Sequence, residues 1–307
     1  ARRHARIGDV RDAELLYTKI LEQYPKNRRA LDGLAALGQT ILSDQQDNPD
    51  IPQEHLKRLI NLFNSKNFLQ TAKDSEKLLE KYPGSPTLCN LYAASLAEQN
   101  QFDLALVYYQ KAISVKPVYP NAYYNLGILS FKKYNLVIAK KMFSRAAYLQ
   151  PNYTEAIFML GVTLATLDEP DAALALYQQA TALDPKNSFY QNSLGLFHAN
   201  SRNLEQAAFH YRKAIILEPT NTGYLNNLGV TLKDKGNLNA AIIFFRRAIE
   251  INPENYLALR NLALSLRNHR FEQPQKGFHP ILEKIISGQN FARPIELARS
   301  LIGLIKS

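Results

Sequence analysis

The sequence predicts an all-α fold, an α-α superhelix of stacked antiparallel helix pairs, and three observations predict it. Pro83, Pro117, Pro151, Pro185, Pro219 and Pro253 follow one another at a constant spacing of 34 residues. If each proline is numbered position 32, small residues fill three further columns. Position 8 is Ala93, Gly127, Gly161, Gly195 and Gly229; position 20 is Ala105, Ala139, Ala173, Ala207 and Ala241; position 27 is Ala112, Ala146, Ala180, Ala214 and Ala248. Position 24 is aromatic throughout, as Tyr109, Phe143, Tyr177, Tyr211 and Phe245. A fixed period of this length marks a repeat architecture in which each repeat is one supersecondary unit.

Each column has a physical reason. Antiparallel helices approach closely only where the contact residues are small, so position 8 is expected to face the alanine of position 20. Large residues at position 24 and at position 7 (Tyr92, Leu126, Leu160, Leu194, Leu228) would fill the space on either side. A mid-helix glycine costs roughly 0.5–1 kcal/mol relative to alanine, so its recurrence calls for a packing reason. The proline lacks an N–H and ends the second helix. Asn121, Thr154, Ser188 and Thr222 are then placed to cap the next first helix.

In chain order, residues 2–25 read as the tail of one repeat, and 28–42 as the first helix of another, with Leu31, Leu34 and Leu37 on one face. The chain therefore opens partway along a helix, as expected of a piece of a longer protein. Residues 43–52, SDQQDNPDIP, have loop composition and read as a linker between two arrays. A weaker repeat follows at 53–82, where Leu59, Thr71 and Leu78 replace the expected small residues. Five regular repeats start near Pro86, Pro120, Thr154, Ser188 and Thr222, and Leu259, Leu262, Ala263 and Leu266 keep the register of one more first helix. The pattern breaks at 271–274, FEQP, and two short helices are expected at 280–287 and 294–305. The expected domains are a partial array at 1–42, the linker 43–52, the main array 53–268, and a helical cap or junction at 269–307.

These columns resemble the tetratricopeptide repeat, whose first-helix signature is matched by Tyr123-Tyr124-Asn125-Leu126-Gly127 and Leu225-Asn226-Asn227-Leu228-Gly229. The tail, with 291–294, FARP, and 296–302, ELARSLI, resembles the junction between repeat arrays and methyltransferase-type regions in bacterial proteins. Related arrays precede sulfotransferase domains and resemble the repeats of O-linked N-acetylglucosaminyltransferases.

Composition excludes several function classes. The net charge of +10 is concentrated at the ends, +4 in residues 1–30 and +5 in residues 256–307. The near-neutral middle argues against a continuous polyanion-binding groove. Cys89 is the one cysteine, so no internal disulfide framework exists and a reducing, cytoplasmic setting fits. No apolar run reaches the roughly 18 residues of a membrane-spanning helix. Gly33 and Gly38 have phosphate-loop spacing, but Gln39 stands where a lysine must reach the phosphates. The six histidines are scattered, and His198 and His210 lack a third ligand. No nucleophile motif, carboxylate pair or metal site is present, so neither an enzyme nor a cofactor is expected.

The resemblance implies a protein-interaction scaffold that binds protein or extended peptide in the concave groove formed by the first helices. In the family, positions 2, 5, 6, 9, 12 and 13 face that groove. Here they include Tyr124, Phe158, Asn192, Asn226 and Arg260 at position 5, and Asn125, Asn227 and Asn261 at position 6. Position 12 adds Phe131, Lys233 and Arg267. Side-chain amides both donate and accept hydrogen bonds, which suits the backbone of an extended peptide. Lys233, Arg260 and Arg267 mark the end expected to meet anions. The alternative readings are the substrate-targeting region of a larger transferase, and an RNA-binding helical repeat, which the tetratricopeptide columns disfavour.

Overall fold

The structure, a computed structural model, describes Arg29, Gly33, residues 51–266 and Ile281. Among the described residues the chain forms thirteen α-helices and no strand. In order they are α1 (Gln53–Asn64), α2 (Phe68–Lys81), α3 (Pro86–Glu98), α4 (Phe102–Val115), α5 (Pro120–Lys132), α6 (Leu136–Leu149) and α7 (Thr154–Thr166). There follow α8 (Pro170–Leu183), α9 (Ser188–Asn200), α10 (Leu204–Leu217), α11 (Thr222–Asp234), α12 (Leu238–Ile251) and α13 (Tyr256–Leu266). Odd-numbered helices are the first helix of each pair and even-numbered helices the second. The chain divides into two compact units, Ala1–Ala156 and Ile157–Ser307, with the division inside α7. Of the linker, only Ile51 and Pro52 are described; the 1–42 array apart from Arg29 and Gly33, and the 269–307 tail apart from Ile281, lie outside the described residues.

The turn inside each pair repeats as strictly as the proline. Lys66, Asn100, Tyr134, Asp168, Arg202 and Gly236 all have positive φ, between 59° and 82°, and they stand at the same repeat position. Each lies between two helices in the left-handed conformation that ends a helix. The following N–H then reaches back to the first helix: Asn135 N–H donates to Ser130 O at 2.8 Å and Asn203 N–H to His198 O at 2.8 Å. That following residue also starts the second helix. Asn67, Asn135, Asn203 and Asn237 accept a hydrogen bond at their side-chain oxygen from the N–H three residues on, satisfying a donor the helix leaves unpaired.

At the far end, the residue before each proline donates its N–H to the position-27 carbonyl, as Gln150 does to Ala146 O at 3.0 Å and Glu218 to Ala214 O at 2.9 Å. Two first helices are capped one residue earlier than expected. Asn187 accepts from Phe189 N–H, and Asn221 from both Gly223 and Tyr224 N–H, so Ser188 and Thr222 are the first helical residues rather than the caps.

All five position-20 alanines and all five position-27 alanines are fully buried. At Gly127, Gly195 and Gly229 the nearest neighbour is not the expected alanine. A Cβ built on Gly127 would stand 2.6 Å from Phe143 Cε1, and one on Gly195 would stand 2.7 Å from Tyr211 Cδ1. The aromatic residue of position 24, not the alanine of position 20, therefore lies across these glycines. Gly161 is looser: its nearest neighbours are Tyr177 Cδ1 at 3.2 Å and the Ala173 carbonyl at 3.3 Å.

In the first unit Leu88, Cys89, Tyr92, Ala93 and Tyr109 belong to one apolar cluster. In the second, Tyr211, Leu225, Leu228, Phe245, Leu259 and Leu262 form another, which Ile281 joins. In the weaker repeat Leu59 and Thr71 are buried all the same, Thr71 by donating its hydroxyl to Asn67 O at 2.8 Å. Burial pushes the Cys89 thiol above its ordinary range, consistent with an inert packing role.

Candidate partner-binding face

The asparagines of positions 5 and 6 bind one another across successive repeats. Asn125 Nδ2 donates to Asn90 Oδ1 at 3.0 Å, Asn227 Nδ2 to Asn192 Oδ1 at 3.0 Å, and Asn261 Nδ2 to Asn226 Oδ1 at 2.8 Å. Each pair spans 35 residues, from position 6 of one repeat back to position 5 of the repeat before. The first pair lies in the first unit and the other two in the second. Among the described residues, each pair leaves the Nδ2 group of the accepting amide and the Oδ1 of the donating amide without a protein partner.

Two other position-5 residues, Tyr124 and Phe158, are aromatic. Phe158 is buried, with ring centroids of Tyr190, Phe189 and Tyr177 at 5.0, 5.2 and 5.3 Å. Tyr124 packs on Phe143 and Tyr153 at 5.8 and 5.1 Å, and burial raises its phenol pKa, with Glu155 adding to the shift. Phe158 thus belongs to the core of its repeat, and Asn226 is buried as well. Asn125, Asn192, Asn227, Asn261, Phe131 and Lys233 are half-buried, and Arg260 is exposed. Arg267 lies outside the described residues.

Flanking the amides in the second unit are exposed apolar side chains at positions 2 and 9 of the first helices: Phe189 and Leu196 on α9, Leu257 and Leu264 on α13. Seven residues apart on each helix, they share one helical face. The sequence carries this signal in the repeat frame, although these columns are less uniform than the glycine and alanine ones.

Repeats are also tied at their edges. Lys133 pairs with Asp103 at 2.6 Å and Lys235 with Glu205, each 30 residues apart. Ser188 donates its hydroxyl to Glu218, which also accepts from Asn221 Nδ2 at 3.0 Å, and together they hold the Glu218 carboxyl below its usual range.

The two histidines form a stacked pair rather than a ligand set. Their ring centroids are 5.5 Å apart at an interplanar angle of 11°. His210 Nδ1 lies 3.0 Å from Gln191 Oε1. Desolvation, then His198 and Lys213, push the His210 pKa down to about 4. Among the described residues no group of three or more His, Cys, Asp or Glu side chains could hold a metal ion, and no helix is long and apolar enough to cross a membrane.

Family models for the tetratricopeptide repeat match residues 94–133, 158–222 and 224–255. The chain contains tetratricopeptide repeats. Such repeats are generally non-catalytic interaction modules. The chain is similar to the crystal structure of YrrB, a tetratricopeptide-repeat protein with an unusual peptide-binding site, at 28% identity and a TM-score of 0.51, over 61% of this chain and 97% of that one. It also shares its fold with PilW, a type IV pilus biogenesis factor, at 17% identity and a TM-score of 0.62, over 67% and 96% of the two chains. The Cut9–Hcn1 assembly of the APC/C aligns over 84% of this chain and 53% of that one, at 17% identity and a TM-score of 0.59. No curated protein matches the chain in sequence.

Proposed function

We propose that this chain binds an extended segment of a partner protein along the first helices of the 53–268 array. The observation that carries the reading is the set of asparagine pairs Asn125–Asn90, Asn227–Asn192 and Asn261–Asn226. Each pair holds its two amides in a fixed orientation, leaving the NH2 group of one amide and the carbonyl oxygen of the other unused. An extended backbone offers the complementary acceptor and donor at each residue, so such pairs can hold a chain with little regard to its sequence. Fixing the amides before binding also lowers the ordering cost that association otherwise incurs. The peptide-binding site of YrrB, the 28% identical neighbour, supports the same reading.

The test is capture of extended peptides from a random 12-residue phage-displayed library by the full chain. Changing Asn125, Asn227 and Asn261 together to Ala is expected to abolish enrichment while circular dichroism shows unchanged helicity. Undiminished enrichment would overturn the proposal.

A further inference from the structure

A pocket of about 390 Å³ opens in the second unit between α9 and α11. Leu196, Ala199 and Val230 supply apolar lining, the buried Tyr211 lies beneath, and Asn227 and Asp234 bring polar groups. The first unit has its counterpart between α3 and α5, built from the same repeat positions but only about 90 Å³ in volume. There Ala94 and Ala97 correspond to Leu196 and Ala199, Tyr109 to Tyr211, and Asn125 to Asn227.

Two of the differences between the pockets bear on their volume and their charge. Phe63 of the preceding repeat lines the smaller one, whereas its counterpart in the second unit is Ala165, which has no ring to fill the space. The second difference is at position 13 of the two first helices. Glu98 and Lys132, both lining the small pocket, pair with each other at 3.0 Å. In the larger pocket these places hold Asn200 and Asp234. Asp234 is exposed and, among the described residues, its carboxylate makes no hydrogen bond or ion pair. Arg202, in the turn after α9, also lines this pocket but makes no ion pair with Asp234. The larger pocket thus joins an apolar wall of Leu196, Ala199, Leu204 and Val230 to a polar rim, and the carboxylate on that rim makes no ion pair with a described residue.

We propose that this slot takes a long basic side chain, lysine or arginine, from an extended partner segment. The proposal rests on the reading of the first-helix face as a peptide site and adds a side-chain preference to it. The methylene stem would lie along Leu196, Ala199 and Val230, as such stems do on apolar surfaces while the charged head stays in polar surroundings. The head group then meets Asp234 in a charge-assisted hydrogen bond, making in trans the pair that Lys132 and Glu98 make within the first unit. Asn227, at the same pocket, has its Oδ1 available for the neighbouring backbone.

The experiment measures fluorescence anisotropy of three labelled, otherwise identical alanine-rich peptides with the full chain. Their central residue is lysine, norleucine or glutamate. The lysine peptide is expected to bind about tenfold more tightly than the norleucine peptide, with glutamate weakest. Asp234→Asn should abolish the lysine preference, and Asp234→Lys should make the glutamate peptide the tightest. Because Asp234 is exposed, both variants are expected to keep the wild-type circular dichroism spectrum. Equal binding of all three peptides, unchanged by either variant, would overturn the basic-side-chain slot and leave the amide face standing. A norleucine preference would make the slot purely apolar and likewise overturn it. Failure of all three peptides to bind would overturn both readings together.

Discussion

The ring of Phe245 occupies the place where a side chain at residue 229 would begin, since a Cβ on Gly229 would stand 2.5 Å from Phe245 Cε1. Phe245 is itself fully buried, so it has little room to retreat. Glycine is therefore a notch for the neighbouring ring, and the depth of the notch varies along the array.

Gly229→Ala is expected to destabilise the protein by about 1–3 kcal/mol, the range for overpacking a filled core. Gly161→Ala should cost much less. Its closest neighbours would be at 3.2–3.3 Å, and alanine recovers roughly 0.5–1 kcal/mol of helix preference. Ala93 occupies the same column with Tyr109 opposite it, so a Cβ there is tolerable once the ring has shifted. Urea midpoints of the two variants provide the check; equal shifts would sink the notch explanation.

Gly236 has φ of +82° and nothing within 4 Å of where its Cβ would be. Gly236→Ala should therefore be a purely conformational change, costing about 1 kcal/mol. The converse change, Tyr134→Gly, removes a side chain that is 76% exposed at the equivalent turn and is expected to raise the urea midpoint. A fall in midpoint would show that Tyr134 makes contacts that outweigh its backbone strain.

The amide pairs predict coupling between residues 35 apart. In a double-mutant cycle, Asn192→Ala and Asn227→Ala should be non-additive by about 0.5–1.5 kcal/mol, the net value of one hydrogen bond. The same cycle on Phe158 and Ser193, which hold the corresponding places one repeat earlier, should show no amide-type coupling. Additivity at Asn192 and Asn227 would mean that their 3.0 Å contact contributes nothing.

Acid should loosen the second unit through His210. Its folded pKa of about 4 lies below the ordinary 6.5, so between those values the unfolded chain binds more protons and stability rises with pH. The contribution is present above about 6.5 and is lost as pH falls toward about 4. The groups packed around the ring are His198, Lys213, Gln191 and Phe209, none of which offers an anion to the imidazolium. Thermal melts from pH 7 to pH 4 should show a shallower decline for His210→Gln than for the parent. Parallel declines would place the acid sensitivity elsewhere.

The helix pairs were legible because close helix crossings demand small residues and each crossing recurs every 34 residues. Spacing names the face on which a residue lies but not the side chain that reaches it. For this reason the small-residue columns point to the position-20 alanines, such as Ala173 beside Gly161, and do not name Phe143, Tyr211 and Phe245. The left-handed turn went unread because five of its six positions carry Lys, Asn, Tyr, Asp and Arg, so nothing in the residue type repeats; the asparagine that follows it in four repeats was the available clue. The amides were visible as columns, but reading down a column misses a bond that steps across two of them. Asn90 and Asn125, 35 apart and not 34, carried that signal.

The turn, the alanine crossings and the amide pairs all join a residue to its own pair or to the next copy. An in-phase duplication of 34 residues therefore inserts a unit that fits both of its neighbours. An insertion of 33 or 35 residues would break the register where it enters, separating an asparagine on one side from its mate on the other, while the repeats beyond it would keep their own spacing. The array can lengthen in evolution only by whole steps, and each step that brings asparagines at both places adds another rung of the same polarity.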